Sequence, residues 1–316
     1  FTVNKNRRPW VGVDMDNQGF VGINGGASIT LMAGSEMVFS NDGGLLATDG
    51  YDSVSLHLND NVLDTRGGEL ALFINDSAGF HATLTGGAAG SDGIIMMDSG
   101  TRFASSGYVD NATDYPTLVL EGDLTLSLQG VVVFDTDDGR DLTLDGSTAN
   151  SLNLINGGVE AAAFVNLSYM DFNNLTLASD VTIVNFNEIN FSGVTRIEGD
   201  IYNILNSESD DYVDMDFNAY AKLGFDHDTI ILGNLYTVED SIICVGHYTS
   251  DQVSLVFGND FVNEGKFYFE PGNYNINSIE MGEGTEIRTF TNEGQFYAGE
   301  NDMDQVMVLK GILINE

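Results

Sequence analysis

The sequence predicts an all-β protein, and within that class a parallel β-helix (β-solenoid) over at least part of the chain. Apolar residues alternate with polar ones in short runs, as in 54–58, 124–128 and 181–183, which is the period of a half-buried strand. The runs end in Gly, Asn or Asp, residues that favour tight turns. Only 3 Pro occur in 316 residues, and the best helical candidate, 159–165, is long enough for only one or two turns.

Two patterns favour a solenoid over other all-β folds. Segment 174–203 strings short β-branched strands together with two to four Asn, Asp, Ser or Gly residues between them, as the corners of stacked coils require. Gly-Gly pairs at 25–26, 43–44, 67–68 and 86–87 are 18, 24 and 19 residues apart, close to one coil of about twenty residues. The alternative is a β-sandwich or jelly roll, for which we expect longer strands and more Pro-marked hairpins.

The composition changes near residue 150. Residues 1–150 hold 22 of the 37 Gly, whereas residues 151–316 hold 21 of the 31 Phe and Tyr. We therefore divide the chain into a Gly-rich β repeat region, 1–150, and an aromatic- and Asn-rich β region, 151–316. A single solenoid that changes its core filling along its length explains the same shift.

The net charge limits the partners and the habitat of the protein. The chain carries 48 Asp and Glu against 11 Lys and Arg, a formal balance of −37. A surface this acidic repels nucleic acid and anionic membranes, since both are bound by basic patches, and the apolar stretches are of strand length, too short for a spanning helix. We expect an extracellular surface neutralised by divalent cations or, in the alternative, by high salt.

Basic residues are concentrated at the start of the chain. Lys5, Arg7 and Arg8 are three of the 11 Lys and Arg. They predict either an arm that meets the acidic surface of a neighbouring copy or a flexible terminus.

Three Asp-rich loops are candidate metal sites, because Ca²⁺ takes several carboxylate and carbonyl oxygens from one turn. Segment 14–19 (DMDNQG) matches the opening of a calcium loop, although Gly25 stands where that pattern has a bidentate Glu. The candidate ligands in the three loops are Asp14, Asp16, Asp135, Asp137, Asp138, Asp141, Asp210, Asp211, Asp214 and Asp216. The alternative for each loop is a solvated turn.

No catalytic or cofactor-binding residue is predicted, and the chain is not expected to be an enzyme. Adjacent acids such as Asp137 and Asp138 point to opposite faces of a strand, which is poor geometry for glycoside hydrolysis. The sequence has no nucleophile elbow, phosphate loop or dinucleotide fingerprint. Cys244, the single cysteine, lies between Ile243 and Val245 and is predicted to be buried in a strand.

In its Gly-Gly spacing, cysteine poverty, acidity and Asn-rich turns, the chain resembles the β-helical passenger domains of bacterial autotransporters and related secreted adhesins. The resemblance rests on 24–26, 142–158 and 174–203. The composition is also similar to that of surface-layer and filament-forming proteins. The resemblance implies an exported protein at the cell surface, with a structural or adhesive role and with itself or a cell-surface glycan as partner. It implies no functional residue.

The last segment of the sequence, 305–316 (QVMVLKGILINE), is almost continuously apolar. It predicts either a strand in the protein's own core or a strand that completes the sheet of a neighbouring copy. Uncapped solenoid coils expose sheet edges that invite the same stacking. We therefore expect self-association through strand edges, with calcium as the bridging ion. The alternatives are a surface-layer or filament subunit of β-sandwich type and a carbohydrate-active β-helix of tailspike type.

Overall fold

The structure is a computed structural model. It describes residues 2–3, 10–11, 15–17, 20–24, 26–32, 34–39, 44–48, 54–75, 81–87, 91–108, 117–135, 143–204, 221–246, 252–269, 277–282, 285–298 and 307–315. These residues contain strands and turns and no helix, and therefore no helix that could cross a membrane.

The strands are short, because the alternating runs are interrupted by turn residues every few positions. In chain order they are β1 (Thr2–Val3), β2 (Trp10–Val11), β3 (Met15–Asn17), β4 (Phe20–Asn24), β5 (Ser28–Leu31), β6 (Glu36–Phe39), β7 (Gly44–Thr48), β8 (Val54–His57), β9 (Val62–Asp64), β10 (Glu69–Asn75), β11 (His81–Thr85), β12 (Asp92–Met97), β13 (Arg102–Tyr108), β14 (Thr117–Leu128), β15 (Val131–Phe134), β16 (Thr143–Gly146), β17 (Ala149–Asn156) and β18 (Ala162–Asn166). They continue as β19 (Tyr169–Phe172), β20 (Leu175–Leu177), β21 (Val181–Asn185), β22 (Glu188–Phe191), β23 (Thr195–Ile197), β24 (Asp200–Asn203), β25 (Lys222–Phe225), β26 (Thr229–Ile231), β27 (Leu235–Thr237), β28 (Ile242–Val245), β29 (Ser254–Phe257), β30 (Phe261–Asn263), β31 (Lys266–Phe269), β32 (Asn277–Met281), β33 (Thr289–Asn292), β34 (Gln295–Ala298), β35 (Met307–Lys310) and β36 (Ile312–Asn315).

The chain divides into two compact units. One comprises Phe1–Phe164 with Ser168–Met170, and the other Val165–Leu167 with Asp171–Glu316. The composition-based division at residue 150 stays a prediction.

In the first unit most strands pair in parallel with the strand three places further along the chain, while β12 pairs with β14 and β14 pairs with β16, two places further along. The three resulting stacks are β1–β4–β7–β10–β13, then β2–β5–β8–β11–β14–β16, and β3–β6–β9–β12–β14–β17. The long strand β14 belongs to two stacks, and it changes direction at Gly122, whose φ of 76° suits a residue without a Cβ atom.

The second unit repeats this arrangement. Its stacks are β20–β23–β26–β29–β32–β35, then β22–β25–β28–β31–β34, and β21–β24–β27 followed by β30–β33–β36. One strand per face in every coil, with parallel neighbours at about 4.8 Å, defines a parallel β-helix. The predicted fold class is confirmed, and the β-sandwich alternative does not describe either unit.

The core is apolar and contains stacked phenylalanine rings. In the second unit Phe191 and Phe225 stack with ring centroids 5.1 Å apart, and Phe261 and Phe290 stack at 5.2 Å. Such pairs contribute about 1 kcal/mol each beyond the area that they bury. Cys244 is buried in β28 and forms no disulfide, as predicted.

One local prediction is wrong. The best helical candidate, 159–165, does not form a helix, because Ala162–Asn166 is strand β18, in which Ala162, Phe164 and Asn166 alternate inward. An inward period of two fixes these residues as a strand, since it places Phe164 over Phe134 at 6.4 Å. The helix propensity of the alanines is therefore overridden by packing.

A ladder of buried asparagines runs through the second unit at one corner of the coils. The Asn166 Nδ2 atom donates to Asn185 Oδ1 at 2.8 Å, and Asn185 Nδ2 donates to Asn203 Oδ1 at 2.8 Å. All three side chains are fully buried. Each side-chain amide donates a hydrogen bond to the next asparagine, so these polar side chains are buried with hydrogen-bond partners.

The ladder resumes in later coils after one interruption. Asn263 donates to Asn292, and Asn292 donates to Asn315, both at 2.8 Å between Nδ2 and Oδ1. Between the two runs the register places Thr237 opposite Asn203. The backbone N–H of Glu264 donates to the Thr237 hydroxyl at 3.0 Å, whereas the equivalent N–H of Glu293 donates to the Asn263 carbonyl.

Candidate functional site

Most of the predicted metal ligands lie outside the described residues. This holds for Asp14, Asp137, Asp138, Asp141, Asp210, Asp211, Asp214 and Asp216. Of the remaining two, Asp135 is an exposed residue directly after β15, and Asp16 lies in β3 with its backbone opposite Val38 of β6. In the part of the chain that the structure describes, no group of three or more His, Cys, Asp or Glu side chains could hold a metal ion. The three calcium loops stay predictions.

The basic side chains that are described are already neutralised. Four of the 11 Lys and Arg, namely Lys5, Arg7, Arg8 and Arg140, lie outside the described residues. The other seven form the ion pairs Arg66–Asp64, Arg102–Glu69, Arg196–Glu198, Lys222–Glu188, Lys266–Asp240, Arg288–Glu286 and Lys310–Glu280. The described surface therefore presents no basic patch to a polyanion.

An acidic corner in the second unit forms a concave feature of the described surface. Three turns of successive coils, between β27 and β28, β30 and β31, and β33 and β34, border a depression of about 580 Å³. Its lining residues are Glu239, Asp240, Glu264, Gly265, Lys266, Glu293, Gly294 and Gln295. We call this set the acidic corner.

The corner has one internal ion pair and an excess of carboxylates. Lys266 Nζ lies 3.2 Å from Asp240 Oδ1, while Glu239, Glu264 and Glu293 form no ion pair among the described residues. Gly265 is required here, because a Cβ atom would collide with the Ser241 backbone carbonyl of the preceding coil. The corner can attract cationic groups, and its depression can hold hydroxyl-rich ligands through Gln295 and the free carboxylates.

Two tyrosine pairs lie on outward faces near this corner. Tyr202 and Tyr236 stack at 4.4 Å between centroids, and Tyr268 and Tyr297 stack at 4.7 Å. The Tyr297 hydroxyl donates to Gln295 Oε1 at 2.6 Å. Because each ring covers the face of its neighbour, the pairs expose edges and hydroxyl groups to solvent, not a flat apolar platform.

Sequence reasoning missed the acidic corner, although a signal for it exists. The motif Asn-Glu-Gly-x-Phe-Tyr occurs at 263–268 and again at 292–297, with 29 residues between equivalent asparagines. Each position of the repeat has a structural role: the Asn is a ladder rung, the Gly permits close coil packing, and Phe and Tyr point inward and outward in turn.

A column of aspartates occupies a second corner, in the first unit. Asp92 and Asp123 are opposite each other in register, and the Asp92 backbone N–H donates to Asp60 Oδ1 at 2.8 Å. Desolvation and the neighbouring charges of Asp123 and Asp60 raise the pKa of Asp92, against a smaller opposing effect of the Thr125 hydroxyl. The ionised form of Asp92 is therefore less favourable in the folded state than in the unfolded chain.

We expect Asp92→Asn to raise the melting temperature at neutral pH. Because the folded pKa is raised, the native protein loses stability as the pH rises from 3.8, the ordinary value, through the folded pKa, and the full penalty is present above it. The asparagine removes that penalty. Melting curves between about pH 3 and pH 8 should converge for both proteins at the acidic end.

The control for this experiment is Asp180→Asn, at a turn residue that is exposed, as Asp92 is. It removes the same charge from another exposed position and should have a smaller effect. An equal gain in both variants would show that only the overall charge matters.

With this geometry established, comparison with known proteins adds no assignment. Neither protein-family models, nor curated proteins, nor solved structures gave a match to this chain.

Proposed function

We propose that the chain is an exported bacterial surface protein with a structural or adhesive role, which self-associates through its β-strand edges and uses calcium to bridge its acidic loops. The observation that carries the proposal is the open edge at β36. Leu313 is in register with the buried Phe290, yet Leu313 is 48 % exposed and Phe290 is 1 % exposed. Among the described residues, β36 therefore presents a core position that is not covered.

The hydrogen-bonding groups of this edge favour another parallel strand. Asn315 accepts from Asn292 and is the last rung of the ladder in the part of the chain that the structure describes, where its amide hydrogens can serve a further rung. Ile312 and Ile314 are 50 % and 42 % exposed on the same strand. Unpaired backbone groups beside apolar side chains are the features through which strands add to a sheet.

The charge supports an exported, cation-bridged assembly. At −37, copies repel one another unless cations neutralise them, and every basic side chain that the structure describes is committed within its own chain. Divalent ions outside the cell can supply this neutralisation, and clustered Asp side chains are their usual ligands.

Leu313→Lys tests the edge. The variant places a charge in the apolar contact that a stacked coil would cover, and we expect it to abolish ordered filaments or lattices seen by electron microscopy of the wild-type protein in calcium. Chelator should weaken the same wild-type assemblies. Ile287→Lys, at a turn position that is 70 % exposed, is the matched control and should assemble normally. Wild-type protein that stays monomeric with and without calcium would disprove the proposal.

A second candidate function is carbohydrate binding, with or without cleavage, at the acidic corner. The depression and its Gln295, Glu264 and Glu293 side chains favour it. Glycan-array binding and reducing-sugar release by the wild type should be lost in Glu264→Gln and Glu293→Gln if this function is correct.

A further inference from the structure

An uncharged row of side chains runs along the outer face of the second unit. Register pairs place Val184, Tyr202 and Tyr236 in line on β21, β24 and β27, and Val262, Thr291 and Ile314 in line on β30, β33 and β36. The Thr237 hydroxyl, which lies 3.4 Å from the Val262 carbonyl, joins the two sets. We call these six residues the uncharged row. It spans about 24 Å at the usual strand separation.

The side chains of the row are exposed and uncharged, although the exposed positions of so acidic a protein are expected to carry Asp or Glu. Tyr236, Val262 and Ile314 are each 41–42 % exposed. No side chain of the row is charged at neutral pH, because tyrosines lose their protons only at alkaline pH. Burial, the Tyr202 ring and Asp200 raise the pKa of Tyr236, which keeps that hydroxyl neutral. The row thus combines apolar side chains with tyrosine edges and hydroxyl groups, a mixture that is common at interaction sites.

Carboxylates border the row on both sides. Asp200 is the first residue of β24 and Asp260 directly precedes β30, while Glu239, Glu264 and Glu293 of the acidic corner follow β27, β30 and β33. Two copies that met row to row would place these acids against each other, which like charges disfavour. An occupant with apolar surface between cationic groups fits instead. Lys and Arg side chains provide both, since their aliphatic stems cover apolar surface while their charged heads reach outward.

We propose that the uncharged row and its acidic border bind the basic segment 4–9 of a second copy of this chain, which contains Lys5, Arg7 and Arg8. Few other basic side chains of this chain are available to bind the row. All seven basic side chains in the described ranges are paired with carboxylates of their own chain, and of the four others only Arg140 lies outside this segment. This interface deepens the proposed self-association, on which it rests, by adding a lateral contact to the edge contact at β36.

The test uses the full chain carrying Leu313→Lys, so that edge-to-edge stacking is blocked and only the lateral contact is measured. In this background sedimentation velocity at low salt should show dimers or larger species. Val262→Glu should weaken this association by about tenfold or more, since it places a carboxylate at the centre of the row. Val194→Glu, which adds the same charge at a turn position that is 65 % exposed, should leave it unchanged.

The basic segment 4–9 is tested in the same background. Lys5→Ser, Arg7→Ser and Arg8→Ser together should abolish association, whereas the conservative set Lys5→Arg, Arg7→Lys and Arg8→Lys should retain it. Raising sodium chloride to about 0.5 M should weaken the wild-type contact, because exposed charges are screened at that ionic strength. Circular dichroism melts identify any variant that fails to fold.

A labelled peptide of residues 1–11 provides a second measurement that does not depend on oligomeric state. It should bind the Val194→Glu protein and not the Val262→Glu protein, and a peptide with Ser at positions 5, 7 and 8 should bind neither. A monomeric Leu313→Lys protein, or association that survives the triple Ser substitution, would overturn the lateral contact. Neither result touches the edge contact, which is measured separately by the loss of filaments in Leu313→Lys.

Discussion

Replacing Asn185 with alanine should lower the free energy of unfolding by about 3 kcal/mol, as expected when a buried network loses its central member. Asn185 Oδ1 accepts from Asn166, and its Nδ2 donates to Asn203 Oδ1 and to the carbonyls of Asn187 and Lys222 at 2.8–3.0 Å. Alanine removes all these bonds at once. Buried amide groups on both neighbouring rungs are left with fewer partners, in a core that water does not enter.

Urea denaturation of both proteins gives this difference directly. The control is Asn315→Ala, at an exposed rung that accepts one hydrogen bond from Asn292, which should cost about 0.5 kcal/mol. If Asn185→Ala and Asn315→Ala cost the same, the ladder contributes no more than single exposed hydrogen bonds do, and its role in the coil stacking would be refuted.

The fold class could be predicted because it depends on local patterns. Alternation in 181–183 and the polar residues that follow fix a strand and a corner, and Asn166, Asn185 and Asn203 are 19 and 18 residues apart, close to the predicted coil. The Gly-Gly pairs were weaker evidence than their spacing suggested. Gly26 lies before β5, Gly68 before β10 and Gly87 after β11, so they occupy different corners of the coil.

The candidate site could not be predicted in the same way. The acidic corner is formed by Glu239, Glu264 and Glu293 from three coils, and only the pairing register brings them together. The uncharged row has the same origin, since Tyr202 and Tyr236 are 34 positions apart in the sequence and become neighbours only through the register of β24 and β27. A single strand shows which residues point outward, but not which of them become neighbours across coils.

The excess of acidic residues and the exposed edge at β36 together provide a way in which cations could control the assembly of this chain. Edge strands aggregate when nothing opposes them, and a charge of −37 opposes every approach that is not neutralised. Calcium at the acidic loops and the basic segment at the uncharged row would each lower that barrier at a particular place. On this account assembly depends on cations outside the cell, and the monomer remains soluble without them.

The interruption of the ladder gives a prediction of the opposite sign, because Thr237→Asn should stabilise the protein. Asn263 Oδ1 is buried and has no hydrogen-bond partner among the described residues, and the rung before it is Thr237, which lacks an amide. An asparagine at 237 could donate to Asn263 Oδ1 while its own oxygen accepts the Glu264 N–H that now bonds to the Thr237 hydroxyl. Satisfying one buried acceptor should raise the free energy of unfolding by about 1 kcal/mol.

Thr237→Val is the matched control, since it keeps the shape of threonine and removes the hydroxyl. The Glu264 N–H would lose its acceptor, and the protein should be less stable than the wild type by about 1 kcal/mol. Urea denaturation should therefore rank the three proteins with Asn above Thr and Thr above Val. A loss of stability in Thr237→Asn would mean that the coil at β27 has no room for an asparagine rung. The interruption of the ladder between β27 and β30 would then be caused by the longer turn Val238–Ser241, in which the Ser241 N–H donates to the Val238 carbonyl. The absence of an amide at residue 237 would not be its cause.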